Sequence, residues 1–204
     1  MLGYYNYTVI ATYLSLAVSS VGIFLAWEGN TFAALICLMC SGFLDSFDGR
    51  IARTKKNRSP SERNFGIQID SLCDLVCFGV LPAAICYSVG LKGAFLALPV
   101  LYILCAQIRL AYFNVEEEER QSRTSEKRMA YCGLPVTSVS VLLPAVYLLG
   151  RISDQTRRWG CAILLLLCAV LFISPLRIPK LQGKGILCMG LLGVAELVAL
   201  LLLF

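Results

Sequence analysis

Asp45 and Asp48 stand three apart at the end of the apolar run TFAALICLMC, and Asp70 and Asp74 stand four apart inside FGIQIDSLCDLVCFGVLPAA. Either spacing puts both carboxylates of a pair on one face of a helix. Two adjacent antiparallel helices can therefore turn all four toward one point. An ionised aspartate at mid-bilayer costs roughly 2.5–3.5 kcal/mol on the insertion scale, and several together also repel one another. Clustered hard oxygens select Mg²⁺ or Mn²⁺, and two such ions about 3.5–4 Å apart stabilise in-line displacement at phosphorus. Gly49, directly after Asp48, would let a phosphate or nucleotide approach the backbone. Arg53, five residues beyond Asp48, would bind it through a two-pronged fork of hydrogen bonds. Gly66, one turn before Asp70, would permit close helix approach. The plainer alternative is a set of solvated charges at helix ends, which serves for one aspartate better than for four at matched depth. The chain of 204 residues has no histidine, so acid–base chemistry falls to carboxylates, Lys, Tyr, Cys or water. These residues point to a metal-dependent site for an anionic, phosphorylated lipid headgroup.

The elements that must position the aspartates are membrane helices. The chain is 58% hydrophobic and 15% charged, whereas about a quarter of a soluble domain is charged. Apolar windows of about 20 residues, the length that crosses a bilayer core, recur along it. Lipid-facing backbone must satisfy its own N–H and C=O groups, so these segments are expected to be helices. The expected fold is all-α, a polytopic transmembrane bundle with a six-helix core and one further C-terminal helix. The candidate spans are Thr8–Trp27, Thr31–Ile51, Phe65–Val89, Gly93–Asn114, Leu134–Gly150, Thr156–Ser174 and Gly185–Phe204. They form a single integral-membrane catalytic domain over residues 1–204. No basic segment precedes the first span, so no cleavable leader is expected, and no repeat of fixed period is visible.

Depth and orientation follow. At about 1.5 Å per residue, Asp45 and Asp48 come at the far end of the second span, and Asp70 and Asp74 in the first turns of the returning one. All four belong at headgroup level. Arg50, Arg53, Lys55, Lys56, Arg58, Arg63, Arg120, Arg123, Lys127, Arg128, Arg177, Lys180 and Lys184 fall on the aspartate side. Opposite them stand Lys92, Arg151, Arg157 and Arg158. This bias puts the aspartates at the cytoplasmic face with the N-terminus inside. The basic loops suit anionic lipid headgroups, worth about 1 kcal/mol per residue near the surface, and no nucleic-acid partner is expected.

Asp45, Asp48, Gly49, Ala52, Arg53, Gly66, Asp70 and Asp74 together resemble the signature of the CDP-alcohol phosphatidyltransferases, D-x2-D-G-x2-A-R…G-x3-D-x3-D. One departure is the longer stretch TKKNRSPSERNF between Arg53 and Gly66, expected to loop into the cytosol. The resemblance implies transfer of a phosphatidyl group from a CDP-linked lipid to an alcohol, with release of CMP. It implies that Asp45, Asp48, Asp70 and Asp74 hold two Mg²⁺ or Mn²⁺ ions, and that Asp48, Gly49 and Arg53 face the CDP group. Asp74 would take the proton of the attacking hydroxyl. IDSLCDLVCFGVLPA, RLAYFN and GLP further resemble the bacterial phosphatidylserine synthase branch. That branch joins CDP-diacylglycerol and L-serine at the cytoplasmic face of the bacterial cell membrane. A homodimer is implied in the same way.

Arg109 is the basic residue inside a span; it would pair either with a substrate anion or with one of the aspartates. Asn114 either binds substrate or simply ends its helix, and Pro135 fits a first helical turn. The embedded cysteines, Cys37 and Cys40 included, read as small packing residues, with no second pair or histidine at zinc-site spacing. EEEERQSRTSEKR reads as a solvated loop, and Glu196, deep in the last span, as an interhelical hydrogen bond or a dimer contact. Tyr4, Tyr5, Tyr7 and Trp27 are interfacial anchors. Two other functions fit the same residues less well. One is the same chemistry on glycerol 3-phosphate or inositol phosphate; the other is cation transport, which favours midplane sites and repeated helices.

Overall fold

A computed structural model describes residues 3–4, 7–55, 59–123, 130–179 and 184–203, and within these the side chains of 49–50, 52–53, 120–123, 130–131, 177–179 and 184–188 lie outside the description. The helices are α1 (Ile10–Trp27), α2 (Thr31–Thr54), α3 (Pro60–Asp74), α4 (Leu81–Val89), α5 (Ala97–Arg123), α6 (Val139–Leu149), α7 (Asp154–Ile173) and α8 (Lys184–Leu203). A π-helical turn, Leu75–Val80, joins α3 to α4 in one continuous rod. Tyr7–Trp27, Thr31–Asp48, Pro60–Val89, Gly93–Glu119 and Asp154–Ile173 are long and apolar enough to cross a bilayer. Val136–Ile152 is a shorter apolar helix, and α8 is apolar along its described side chains from Met189 to Leu203. The protein is thus a multi-pass helical membrane protein. Leu166, Leu167, Val170 and Leu201 lie on its exposed surface, as suits lipid contact.

Local signals set the helix ends. Asn30 Oδ1 accepts the Ala33 N–H at 3.1 Å to open α2, and Ser153 Oγ accepts the Thr156 N–H at 3.1 Å to open α7. Gly90, with φ +119°, closes α4 in the left-handed conformation that glycine adopts freely.

Two expectations need correction. The stretch expected to loop out is partly helical: α3 begins at Pro60, not Phe65, because Ser59 Oγ accepts the Glu62 N–H at 3.2 Å with Pro60 in the first turn. Lys55 then pairs with Glu62, whose side chain is nearly buried, across the short connection from α2. Likewise EEEERQSR is not loop, since α5 continues through it to Arg123. Glu, Arg and Gln are good helix formers, and no breaker interrupts them. Residues 124–129 lie outside the description.

Helix α1 lies along α2, α7 bridges α5 and α6, and α8 packs on α6 and α2. The core between them contains Leu35, Phe78, Ile85, Tyr102, Leu143 and Leu165, all fully buried. A short antiparallel pair, β1 (Ala130–Cys132) with β2 (Arg177–Pro179), sets Tyr131 opposite Ile178. The Gly133 N–H donates to the Leu176 carbonyl at 2.8 Å and the Leu134 N–H to Leu171 at 3.1 Å. These bonds strap the approach to α6 against the end of α7.

Candidate active site

Helices α2 and α3 run antiparallel, and their aspartates meet. One carboxylate oxygen each from Asp45, Asp70 and Asp74 lies within 4.8 Å of the other two. Asp45 hydrogen-bonds the Asp74 side chain, and Asp48 that of Asp70. The earlier aspartate of α2 thus pairs with the later one of α3, as antiparallel register requires. All four are partly buried. Carboxyl groups at this distance repel unless a proton or a cation lies between them. Oxygens on opposite sides of one Mg²⁺ are about 4.2 Å apart, so a 4.8 Å group is of the size that one ion, or a bridged pair, draws together. The donors are carboxylate oxygens throughout, the set that hard divalent cations prefer to Zn²⁺. The residues therefore fit a divalent metal centre.

A seam of small side chains lets these helices come close. Ser19 and Ser41 share a hydrogen bond of 2.7 Å between α1 and α2. Ser15 Oγ lies 3.5 Å from Cys77 Sγ, and Cys73 Sγ donates to the Thr12 carbonyl at 3.2 Å. A Cβ on Gly22 would fall 2.8 Å from Cys37 Cβ, so α1 and α2 touch there at backbone range. Small residues provide such packing between membrane helices, where lipid is as apolar as leucine. The packing reading of the cysteines agrees with this.

The other expected residues divide. Gly49 and Arg53 continue α2 beyond Asp48, while their side chains lie outside the described residues. Arg109 of α5 is buried; its Nε donates to the Leu134 carbonyl at 2.6 Å and its guanidinium carbon lies 5.5 Å from the Phe113 ring centre. It thereby ties α5 to the residue that the Gly133 strap presents. Asn114 is engaged in a way its sequence position does not announce. Ser71 Oγ donates to its Oδ1 at 2.8 Å, which joins α5 to α3 one residue after Asp70. Glu196 is buried on α8, and its Oε2 has no hydrogen-bond partner among the described residues. Sequence reasoning missed Ser71 and Glu62. The Ser59–Pro60…Glu62 pattern was a readable signal for the second; nothing local marks the first.

Fold and site together define a multi-pass membrane protein with a carboxylate-only centre between its second and third helices. The chain belongs to the CDP-alcohol phosphatidyltransferase family, whose model matches residues 5–174. Among its relatives, an archaetidylserine synthase of Methanothermobacter thermautotrophicus is 31% identical over 167 residues, covering 81% of this chain and 66% of the relative. A CDP-diacylglycerol–serine O-phosphatidyltransferase of Helicobacter pylori is 29% identical over 187 residues, covering 87% of this chain and 73% of the relative. The yeast Saccharomyces cerevisiae has another, 39% identical over 112 residues, or 53% of this chain and 38% of that protein. The chain thus spans about two thirds to three quarters of the first two relatives' lengths.

Proposed function

We propose that this protein transfers the phosphatidyl group of CDP-diacylglycerol to L-serine, giving phosphatidylserine and CMP. The observation that carries the reading is the meeting of Asp45, Asp70 and Asp74 at one point, in a chain whose family transfers phosphatidyl groups. The choice of serine is supported by relatives named for serine acceptors over most of the chain. The whole of residues 1–204 is read as one catalytic domain.

In this proposal Asp45, Asp48, Asp70 and Asp74 hold two divalent ions, Mg²⁺ or Mn²⁺, which supply positive charge to the diphosphate and the leaving phosphate. Asp48, Gly49 and Arg53 face the CDP group. Asp74 accepts the proton of the serine hydroxyl as its oxygen bonds to the lipid-side phosphorus. The bond from that phosphorus to the bridging oxygen breaks, and CMP leaves with that oxygen. Arg109 meets the serine carboxylate. The site opens to the cytoplasmic face of a bacterial cell membrane, the side on which the basic loops gather. A homodimer is part of the same reading, and light scattering of the detergent-solubilised protein checks it.

The test is CMP release by purified protein given CDP-diacylglycerol with Mn²⁺ or Mg²⁺. L-serine, glycerol 3-phosphate and inositol phosphate are offered separately. Release with serine alone is the expected result. Release only with a phosphorylated acceptor keeps the chemistry and replaces the substrate. No release with any acceptor, from folded protein, rejects the reading.

A further inference from the structure

The rod formed by α3 and α4 changes its winding directly after Asp74. Its π-turn covers Leu75–Val80, and the Leu81 N–H reaches back five residues to the Val76 carbonyl. The sequence contains the cause. Pro82 has no N–H, and its ring crowds the carbonyl four residues earlier, which is that of Phe78. In an apolar interior, a carbonyl deprived of its helical donor needs another. Tyr102 of α5 provides one: its fully buried hydroxyl donates to the Phe78 carbonyl at 2.5 Å. Helix α5 lies close to the turn at Gly79. A Cβ there would lie 3.1 Å from Leu75 Cδ1 and 3.7 Å from the Cβ of Ala106, one turn beyond Tyr102. The Tyr102 ring is backed in turn by Phe172 of α7, with ring centres 5.4 Å apart.

We propose that Tyr102 is a positioning residue for the metal centre: its hydrogen bond to the Phe78 carbonyl, left short of a donor by Pro82, holds open the π-turn that aims Asp70 and Asp74 at Asp45 and Asp48. The geometry requires such a device. An α-helix turns about 100° per residue, and a π-turn accommodates one residue more than an α-turn. Rewinding Leu75–Val80 as α-helix would rotate α3 about 100° against α4. Because α4 is embedded in the core, the rotation would fall on α3 and carry its carboxylates away from α2. Single π-turns inside helices recur at functional sites for this reason. Tyr102 touches neither substrate nor metal in this account and acts through the backbone alone.

The inference rests on the proposed metal centre, so its test reads the metal directly. Mn²⁺ binding to the full chain in detergent is followed by electron paramagnetic resonance for wild type, Tyr102→Phe, Pro82→Ala and the double variant. The Mn²⁺ dependence of CMP release, the KM for serine and metal-free thermal unfolding are measured alongside. Tyr102→Phe, which removes one oxygen, should weaken Mn²⁺ binding about 5- to 150-fold, the range expected when a buried acceptor loses its partner, with KM for serine within about twofold at saturating metal. Pro82→Ala restores an N–H to Phe78 and lets the turn rewind, so it should weaken Mn²⁺ binding by itself. In its presence Tyr102→Phe should add less than about twofold, because the carbonyl has its helical donor back.

Unchanged Mn²⁺ binding in Tyr102→Phe overturns the proposal. So does an equal Tyr102→Phe effect in both backgrounds, which would mean that the ring's packing and not its bond to Phe78 matters. Should Tyr102→Phe alone fail to fold, a folded double variant supports the pairing, and an unfolded one overturns it. A wild-type protein that binds no Mn²⁺ removes the metal centre itself, an outcome distinct from a centre that binds Mn²⁺ but ignores Tyr102.

Discussion

At one end of the bundle Asp45 and Asp48 meet Asp74 and Asp70, carboxyl against carboxyl; at the other, three cations each lie over an aromatic ring. Lys92 stands 5.2 Å from the Tyr87 ring centre, Arg157 4.6 Å from Tyr147 and Arg158 5.6 Å from Phe95. The Nε atoms of both arginines are buried with no hydrogen-bond partner among the described residues, so ring faces are a large part of what these two side chains rest on. Arg157 also reaches Asp154 at 3.6 Å, although that aspartate is 96% exposed and water weakens the pair. Charge at the ring end is absorbed by aromatic faces, on the same segment for Lys92 and on a neighbouring one for Arg157 and Arg158. Charge at the aspartate end is concentrated between two helices, in a form that only a bound cation or a shared proton makes comfortable. The first arrangement anchors helices at a membrane interface. The second holds a binding capacity in reserve.

Substitutions at the two ends should therefore behave in opposite ways. Asp74→Asn should lower CMP release by about a thousandfold, within the range for removing a general acid–base group. Its metal-free melting temperature should stay level or rise, since one carboxylate fewer is crowded there. A large fall in that temperature would mean that the aspartates serve the fold. Gly133→Ala probes the strap that ties the approach to α6 against the end of α7, far along α7 from Arg157 and Arg158. Gly133 has φ +75°, and a Cβ would fall 2.8 Å from the Phe172 carbonyl oxygen. About 1–3 kcal/mol of stability should be lost, read as a lower melting temperature, with activity per folded molecule reduced only through the Leu134–Arg109 bond.

Ser71→Ala, which removes the hydrogen bond to Asn114, should alter the serine KM or kcat by up to about fivefold. Steady-state kinetics at saturating Mn²⁺ show which. The smallest effect is expected at the ring end, where Arg158→Gln should cost less than about 1 kcal/mol and leave CMP release within twofold. A larger loss of activity there would break the contrast, since it would give the ring end a share in catalysis.

Much of this architecture was open to reading from the chain. Apolar run length announces a membrane helix wherever it occurs, and α1, α2, α4 and α7 begin or end within two residues of the expected spans. The pairing of aspartates on helical faces was equally legible, because three- and four-residue spacings are local geometry. The structure departs from expectation where polar sequence reads as loop. Pro60–Arg63 and Glu116–Arg123 are helical, and a charged segment coils as readily as an apolar one when it is capped and unbroken.

The sequence by itself determined which segments cross the membrane, that two of them carry paired carboxylates, and that Pro82 denies Phe78 a helical donor. Each follows from chain chemistry within one or two turns. Only the tertiary structure decided that Asp45 faces Asp74 and Asp48 faces Asp70, that Ser71 meets Asn114, that Arg109 spends its Nε on Leu134, and that Tyr102 supplies what Pro82 withholds. These contacts join residues some 24 to 43 positions apart along the chain or lie across two helices. Their partners are selected by how small side chains allow the helices to approach and rotate, a property of the packed bundle that no local stretch contains.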